Sequence, residues 1–359
     1  MARVILGSYM VRYPLGGMMS WVLQYLVGLH RLGHETYFVE KAGWPDACFD
    51  PDEGIMSDDC SFGVRAVGSL LTEHSLADRW CFVDNHGRYF GLPKEDIEEV
   101  FRTADIFLDM GTHGSWAPEA ADVTTALIDG EPGFTQMKMA AAEAAGVALP
   151  TYDYYFTTGR TIGTGRSTAP TAGREWIPIF HPVVPALFEV GEPTGDRYTT
   201  IMNWQSYGRL EHEGTVFGHK DLEFVKFEGL PQLVEATLEI AVSGMDIPAD
   251  RLESQGWLMR DAHEVTRSFT RFKDYVRASR GEFGVCKNGF VATRSGWFSD
   301  RSAAYLAAGR PVVLQDTGFS EHLPCGEGLF AVATAEEAAD AIDLIEADYD
   351  RHASKAREI

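Results

Sequence analysis

One segment, Ser295 to Gly318 (SGWFSDRSAAYLAAGRPVVLQDTG), gathers residues suited to holding a phosphorylated ligand. Ser299 sits where an N-cap belongs, and Asp300, Arg301 and Ser302 follow in the first turn. A helix start presents unpaired N–H groups and a partial positive charge, so it can hold a diphosphate. Arg294, Arg301 and Lys287 converge on this segment by sequence, and cations there would neutralise charge on a departing diphosphate. Arg301 has a competing use, pairing with Asp300 or Glu282. One strand later, Gln315, Asp316, Thr317 and Gly318 form a polar loop at a carboxyl strand end, where α/β proteins bind ligands. Gln315 and Asp316 can accept hydrogen bonds from sugar hydroxyls; the alternative is an Asx-type turn before Gly318. Lys220, in FGHKDLEF, reads by itself as a solvated loop lysine.

Acid–base candidates lie in the first half. His113 and Asp109, in LDMGTHGSW, close a predicted strand and can supply the base that deprotonates a hydroxyl; both also have structural readings. Asp129, before Glu131–Gln136, and Asp84-Asn85-His86 are further polar clusters. Gly16 and Gly17, in a predicted βα turn, let backbone approach a ligand closely. Their spacing is not the G-x-G-x-x-G dinucleotide fingerprint, and Gly163-Thr164-Gly165 lacks the strand and helix that motif needs, so a nicotinamide enzyme is disfavoured. Asp50-Pro51-Asp52 spells D-x-D but lies in a Pro/Asp loop, and the histidines have no H-E-x-x-H spacing; no catalytic metal is expected. Trp297 in SGWFSD and Trp116 in HGSW fall in candidate ligand loops, whereas most other aromatics read as core.

The elements that must position these groups alternate. Arg3 to Ser8 reads as a buried strand, Met18 to Leu32 as a helix stopped by Gly33, and Thr36 to Glu40 as the next strand, a βαβ unit that implies a parallel sheet. Ile106 to Met110 and Ala126 to Asp129 are further strands; helices are predicted near Asp58–Glu73, Lys94–Thr103 and Thr135–Ala145. The stretch Thr158–Pro193 is rich in Gly, Pro and Thr without a period and reads as a connector; Tyr152–Phe156 reads as buried packing. In the second half, Thr199–Trp204, Gly256–Met259 and Phe283–Cys286 read as strands. Pro231–Val242, Asp261–Ser279, Ala303–Ala308 and Ala335–Glu346 read as helices, the last followed by a short charged tail. The expected division is 1–193 and 194–359.

With 359 residues and 45% hydrophobic content, the chain can fill two α/β cores. A net charge of −22 argues against nucleic-acid or anionic-membrane partners, which require a basic footprint. Five cysteines without paired spacing fit a reducing cytoplasm. No stretch approaches the ~18 apolar residues of a membrane span.

Two strings carry a resemblance: LHRLGHETYFVE at 29–40, after the Gly16-Gly17 loop, and AAYLAAGRPVV at 303–313 followed by Gln315, Asp316 and Gly318. The chain resembles the GT-B glycosyltransferases, and SRGEFGVCKNGF, SGWFSDRS and IDGEPGFTQ look most like a poorly described bacterial branch related to families 1 and 4. The resemblance covers both halves. It implies an α/β fold of two Rossmann-like, doubly wound domains facing across a cleft, and sugar transfer from a nucleotide-diphosphate donor. The acceptor implied is a small molecule or natural product, with no permanently bound cofactor. Donor contacts would fall on Gly16, Gly17, Lys220, Arg294, Trp297, Ser299–Ser302 and Gln315–Gly318, and catalysis on His113 and Asp109. The usual donor-domain E-x-x-x-x-x-x-E pattern is missing, with Ser295–Ser302 in its place. Two rival readings follow on the same fold: a nucleotide-sugar epimerase or hydrolase, and a non-catalytic binding or activating protein.

Overall fold

The computed structural model describes all 359 residues, which form two compact units. The first comprises Met1–Gly130, Ala148–Thr157 and Thr266–Phe272; the second comprises Glu131–Val147, Thr158–Val265 and Lys273–Ile359. Against the expected division at 193/194, the segments 131–147 and 158–193 belong to the second unit.

In the first unit, strand Arg3–Gly7 lies between parallel strands Glu35–Lys41 and Ile106–Asp109. Trp80–Val83 adds to Glu35–Lys41 and carries an antiparallel edge, Tyr89–Gly91. Thr124–Asp129 and Tyr154–Thr157 extend the other side in parallel. Ile5, Val39, Cys81, Phe101, Phe107 and Trp116 share its core. Helix Gly16–Arg31 buries Met19, Val22, Leu23 and Leu26, the i, i+3, i+4, i+7 stripe of a helix covering a sheet. Gly33, at φ +87°, ends it in a conformation that favours glycine.

The second unit has a six-stranded parallel sheet, in order Leu258–Asp261, Thr237–Ser243, Arg197–Asn203, Gly281–Gly284, Val312–Gln315, Leu329–Val332. Numbered along the chain this is 3-2-1-4-5-6, the doubly wound order, which reverses between Arg197–Asn203 and Gly281–Gly284. Tyr198, Leu238, Ile240, Trp257, Phe283, Val313 and Ile342 form its core. Helix Asp300–Ala307 buries every residue from Ser302 onward. Helix Ala335–Ala347 is capped by Thr334, whose Oγ1 accepts from the Glu337 N–H, while Glu337 accepts from the Ala333 N–H.

Several expectations need correction. Thr237–Ser243, read within a helix, is an interior strand: LEIAV is buried along its whole length, and periodicity cannot separate such a run from a buried helix. Strands Trp80–Val83 and Leu329–Val332 were not foreseen, for the same shortness and burial, nor was Tyr154–Thr157, a four-residue strand that is mostly not buried. Asp261–Ser279 is two helices, Ala262–Thr266 and Phe269–Ala278. The charged tail is a helix, Tyr349–Glu358, seated by Tyr349, His352 and Ala356. Tyr154 is exposed rather than packed inside. No helix is long and apolar enough to cross a membrane.

Candidate functional site

At the reversal point of the second sheet, the loops after Arg197–Asn203 and Gly281–Gly284 each deliver a cation. Lys220 opens helix Lys220–Phe224, is only 7% exposed, and has no hydrogen-bond or ion-pair partner. Burial pushes its ammonium down to about 7, aided by the positive charges of Arg301 and Lys287. Arg301 is committed: its Nε donates to the fully buried Glu282 and its Nη1 donates to the Ile201 carbonyl at 2.7 Å. Of the two uses the sequence left open, the structure places it in the Glu282 pair. Lys287 donates to both Glu131 oxygens, at 2.6 and 2.7 Å.

The helix start at Ser299 is less open than its sequence suggests. Ser299 and Ser302 are buried, and the Ser299 side chain makes no capping hydrogen bond. The Ser302 hydroxyl, the Ser295 hydroxyl and the Trp297 indole N–H are buried without partners. Trp297 packs on Phe290 with ring centroids 4.6 Å apart. Asp300 is half-buried, and its charge acts on the buried His181. Arg294 adopts φ +46° and turns outward to Glu321 at 2.8 Å.

The loop after Val312–Gln315 spends its polar groups internally. The Gln315 Oε1 accepts from the Cys286 N–H at 3.1 Å, and its amide donates to Glu223. Asp316 accepts from the Gly318 N–H and from the Ser320 hydroxyl, both at 2.8 Å, which is the Asx-turn alternative. Thr317 donates to the Trp297 carbonyl, and Gly318 takes φ +98°.

In the first unit, Gly16 and Gly17 are the first residues of a helix rather than a loop. A Cβ on Gly16 would lie 2.5 Å from the Ser268 carbonyl and 2.6 Å from the Phe272 Cβ, so this glycine serves a close approach within the protein; Gly17 faces open space. Asp109 is fully buried and accepts from Thr112 N–H (2.7 Å), Gly114 N–H (2.9 Å) and the Tyr152 hydroxyl (2.7 Å). It shapes the loop that carries His113, which is exposed and holds φ +53°. Asp129 is buried and accepts from the Thr157 hydroxyl. Trp116, expected in a ligand loop, is fully buried, stacked on Phe101 and covered by the Lys41 ammonium. Asp84 closes a turn on His86 and Arg88, while Asp50 accepts from the Asp52 N–H and Asp52 pairs with Arg267.

No family model matches the chain, and no curated protein matches it in sequence. Solved structures do. AviGT4, a glycosyltransferase involved in avilamycin A biosynthesis, aligns over 99% of this chain and 92% of its own, at 14% identity and TM-score 0.52. Anabaena HepE, solved with UDP-glucose, aligns over 99% and 93%, at 12% identity and TM-score 0.54. An α-glucosyltransferase solved with UDP and DNA aligns over 99% and 94%, at 9% identity and TM-score 0.56. The fold is that of the GT-B glycosyltransferases.

Two buried carboxylates of this GT-B fold escaped the sequence reading. Glu223 accepts from Asn288 Nδ2 (2.8 Å), Lys226 Nζ (2.6 Å) and the Gln315 amide, tying three loops together at the strand ends. Its one trace in sequence, spacing from Lys220 and Lys226, is that of any exposed helical pair. Glu40, at the end of strand Glu35–Lys41, accepts from the backbone N–H groups of Met10, Val11 and Arg12 at 2.7–3.0 Å and from the Arg12 guanidinium. In sequence it is only an acid closing an apolar strand.

Proposed function

We propose that the chain is a glycosyltransferase that uses a nucleotide-diphosphate sugar, with the diphosphate held in the second unit at Lys220. One observation carries this reading: Lys220 is a buried lysine that makes no ion pair, with the cations Arg301 and Lys287 nearby, at the reversal point of a parallel sheet, where doubly wound folds take ligands. An unpaired ammonium in such a place is costly unless an anion completes it. A diphosphate would supply the missing charge, keep Lys220 protonated, and be stabilised by it as the bond to the sugar breaks. The UDP-glucose complex of HepE supports a UDP-sugar as the donor class.

Around that anchor, the helix start at Ser299–Ser302 adds amide N–H groups. Trp297 and the loop Gln315–Gly318 border the sugar through backbone and indole groups, since the Gln315 and Asp316 side chains are engaged. Arg301 and Arg294 act at second hand, through Glu282 and Glu321. Gly16 and Gly17 shape the first unit rather than touch the donor. His113 is the proposed base for the acceptor hydroxyl, with Asp109 fixing its loop. The charge of −22 favours an uncharged small-molecule acceptor over a polyanion. Calorimetric titration with UDP and UDP-sugars tests the reading: Lys220→Met should weaken UDP at least about tenfold, and equal affinity in the variant removes the assignment. Incubating the purified chain with donor alone separates transfer from epimerisation or hydrolysis, which need no acceptor.

A further inference from the structure

The cations Arg301 and Lys287 each face one acid, and the two acids are held very differently. Glu282, on Arg301, is fully buried. Glu131, in the turn between strand Thr124–Asp129 and helix Phe134–Ala144, belongs to the same unit and keeps 43% of its side chain in water. Both of its oxygens accept from the Lys287 ammonium, at 2.6 and 2.7 Å, and one also accepts from the Tyr207 hydroxyl at 3.0 Å. Lys287 is the less accessible partner, at 16%. An ammonium on two oxygens and a hydroxyl on one is equally a donor set for phosphate.

The loop bearing Lys287 is tied to the loop bearing Lys220. The Gly218 N–H donates to Asn288 Oδ1 at 3.1 Å, and the Asn288 N–H donates to the His219 carbonyl at 3.2 Å. The Tyr207 ring lies edge-on to His219, with centroids 4.3 Å apart, and the Lys138 and Lys287 ammoniums stand 4.4 and 5.2 Å from its centre. Lys287 is thus fixed close enough for its charge to act on Lys220, with a half-exposed acid as its counter-ion.

We infer that Glu131 stands in for a donor phosphate: it neutralises Lys287 until a diphosphate takes its place, and it reclaims the lysine as the nucleotide leaves. The inference rests on the transferase reading and adds what sets donor affinity. Exposure decides which acid yields. Glu131 regains full hydration by turning its side chain, whereas Glu282 has no water to turn to. The Glu131 carbonyl accepts from the Thr135 N–H at 3.0 Å, so the main chain stays in place while the carboxylate moves. Lys287, mostly buried, needs another anion once its acid departs. Donor binding is then an exchange of one anion for another, which weakens UDP and eases its release.

Calorimetric titration of the full chain with UDP, and separately with inorganic pyrophosphate, tests the inference. Glu131→Gln keeps the shape and removes the charge, and should bind both ligands about tenfold more tightly than the wild type. Tyr207→Phe, which loses one tether on Glu131, should tighten both about twofold and gives a second reading should Glu131→Gln fold poorly by circular dichroism. Lys287→Met in the Glu131→Gln background should erase the gain, a coupling that a merely structural role for Glu131 would not produce. Equal or weaker UDP binding by the folded variants, where Lys220→Met weakens UDP as expected, overturns the inference and leaves the transferase reading standing. Tighter pyrophosphate binding by Glu131→Gln, with UDP bound no better than pyrophosphate, keeps the inference and removes the nucleotide-donor reading. Binding of neither ligand by either protein overturns both.

Discussion

Lys220 and Arg301 are like-charged neighbours inside the second unit, and Glu282 is ion-paired with Arg301 while attracting Lys220 only weakly through space. The ammonium is depressed from its usual 10.5 to about 7, so between those values the unfolded chain holds a proton that the folded chain lacks. Stability therefore rises with pH across that window, and the full cost of charging Lys220 is felt below about 7. Lys220→Met should melt a few degrees higher than the wild type at pH 6, with the gap closing as pH rises. UDP affinity of the wild type should fall as pH climbs above 7, because binding takes up a proton; calorimetry in buffers of different ionisation enthalpy reads that uptake directly.

Adjacent glycines at one helix start should behave oppositely. Gly16→Ala forces a methyl into the Ser268 carbonyl and should lower the melting temperature by several degrees, a cost of about 2 kcal/mol or more. Gly17→Ala meets nothing and should gain up to about 1 kcal/mol from helix propensity. Thermal denaturation of both decides it; equal effects would show that the contact with Ser268 does not matter.

Asp109 and His113 should separate in their readouts. Asp109→Ala strands two backbone N–H groups and a tyrosine hydroxyl, and should cost about 3 kcal/mol, visible as reduced melting temperature before any assay of transfer. His113→Gly relieves a left-handed backbone and should hold or raise stability while losing transfer activity. A fully active His113→Gly excludes it as the base.

Asp316→Ala removes the turn that binds Gly318 and Ser320 and should cost about 1 kcal/mol, with UDP affinity changed less than threefold. A loss of UDP binding at unchanged stability would return Asp316 to direct donor contact.

The alternation of strand and helix was legible because Arg3–Gly7 and Glu35–Lys41 are short apolar runs flanking Gly16–Arg31, a helix with a clean period and a glycine stop. Thr237–Ser243 was not, since its apolar run continues from Pro231 with no turn residue to bound it, and a buried run without a boundary looks alike in strand and helix. The segment from Ser299 to Gly318 was placed correctly as helix, turn and strand, yet sequence gives position and not direction. It put Gln315 and Asp316 at a strand end without showing that Cys286, Glu223 and Ser320 would claim their side chains. Lys220 was visible as a cation; its isolation was not, because that depends on Glu282 being taken by Arg301, eighty-one positions away from Lys220 along the chain.

Glu40 secures three successive amides from below and sits beneath the arginine that backs the exposed Trp44 indole. That single acid holds the turn in one course. Replacing Glu40 should therefore unsettle the course of residues 10–12 even though every side chain of that turn is still present.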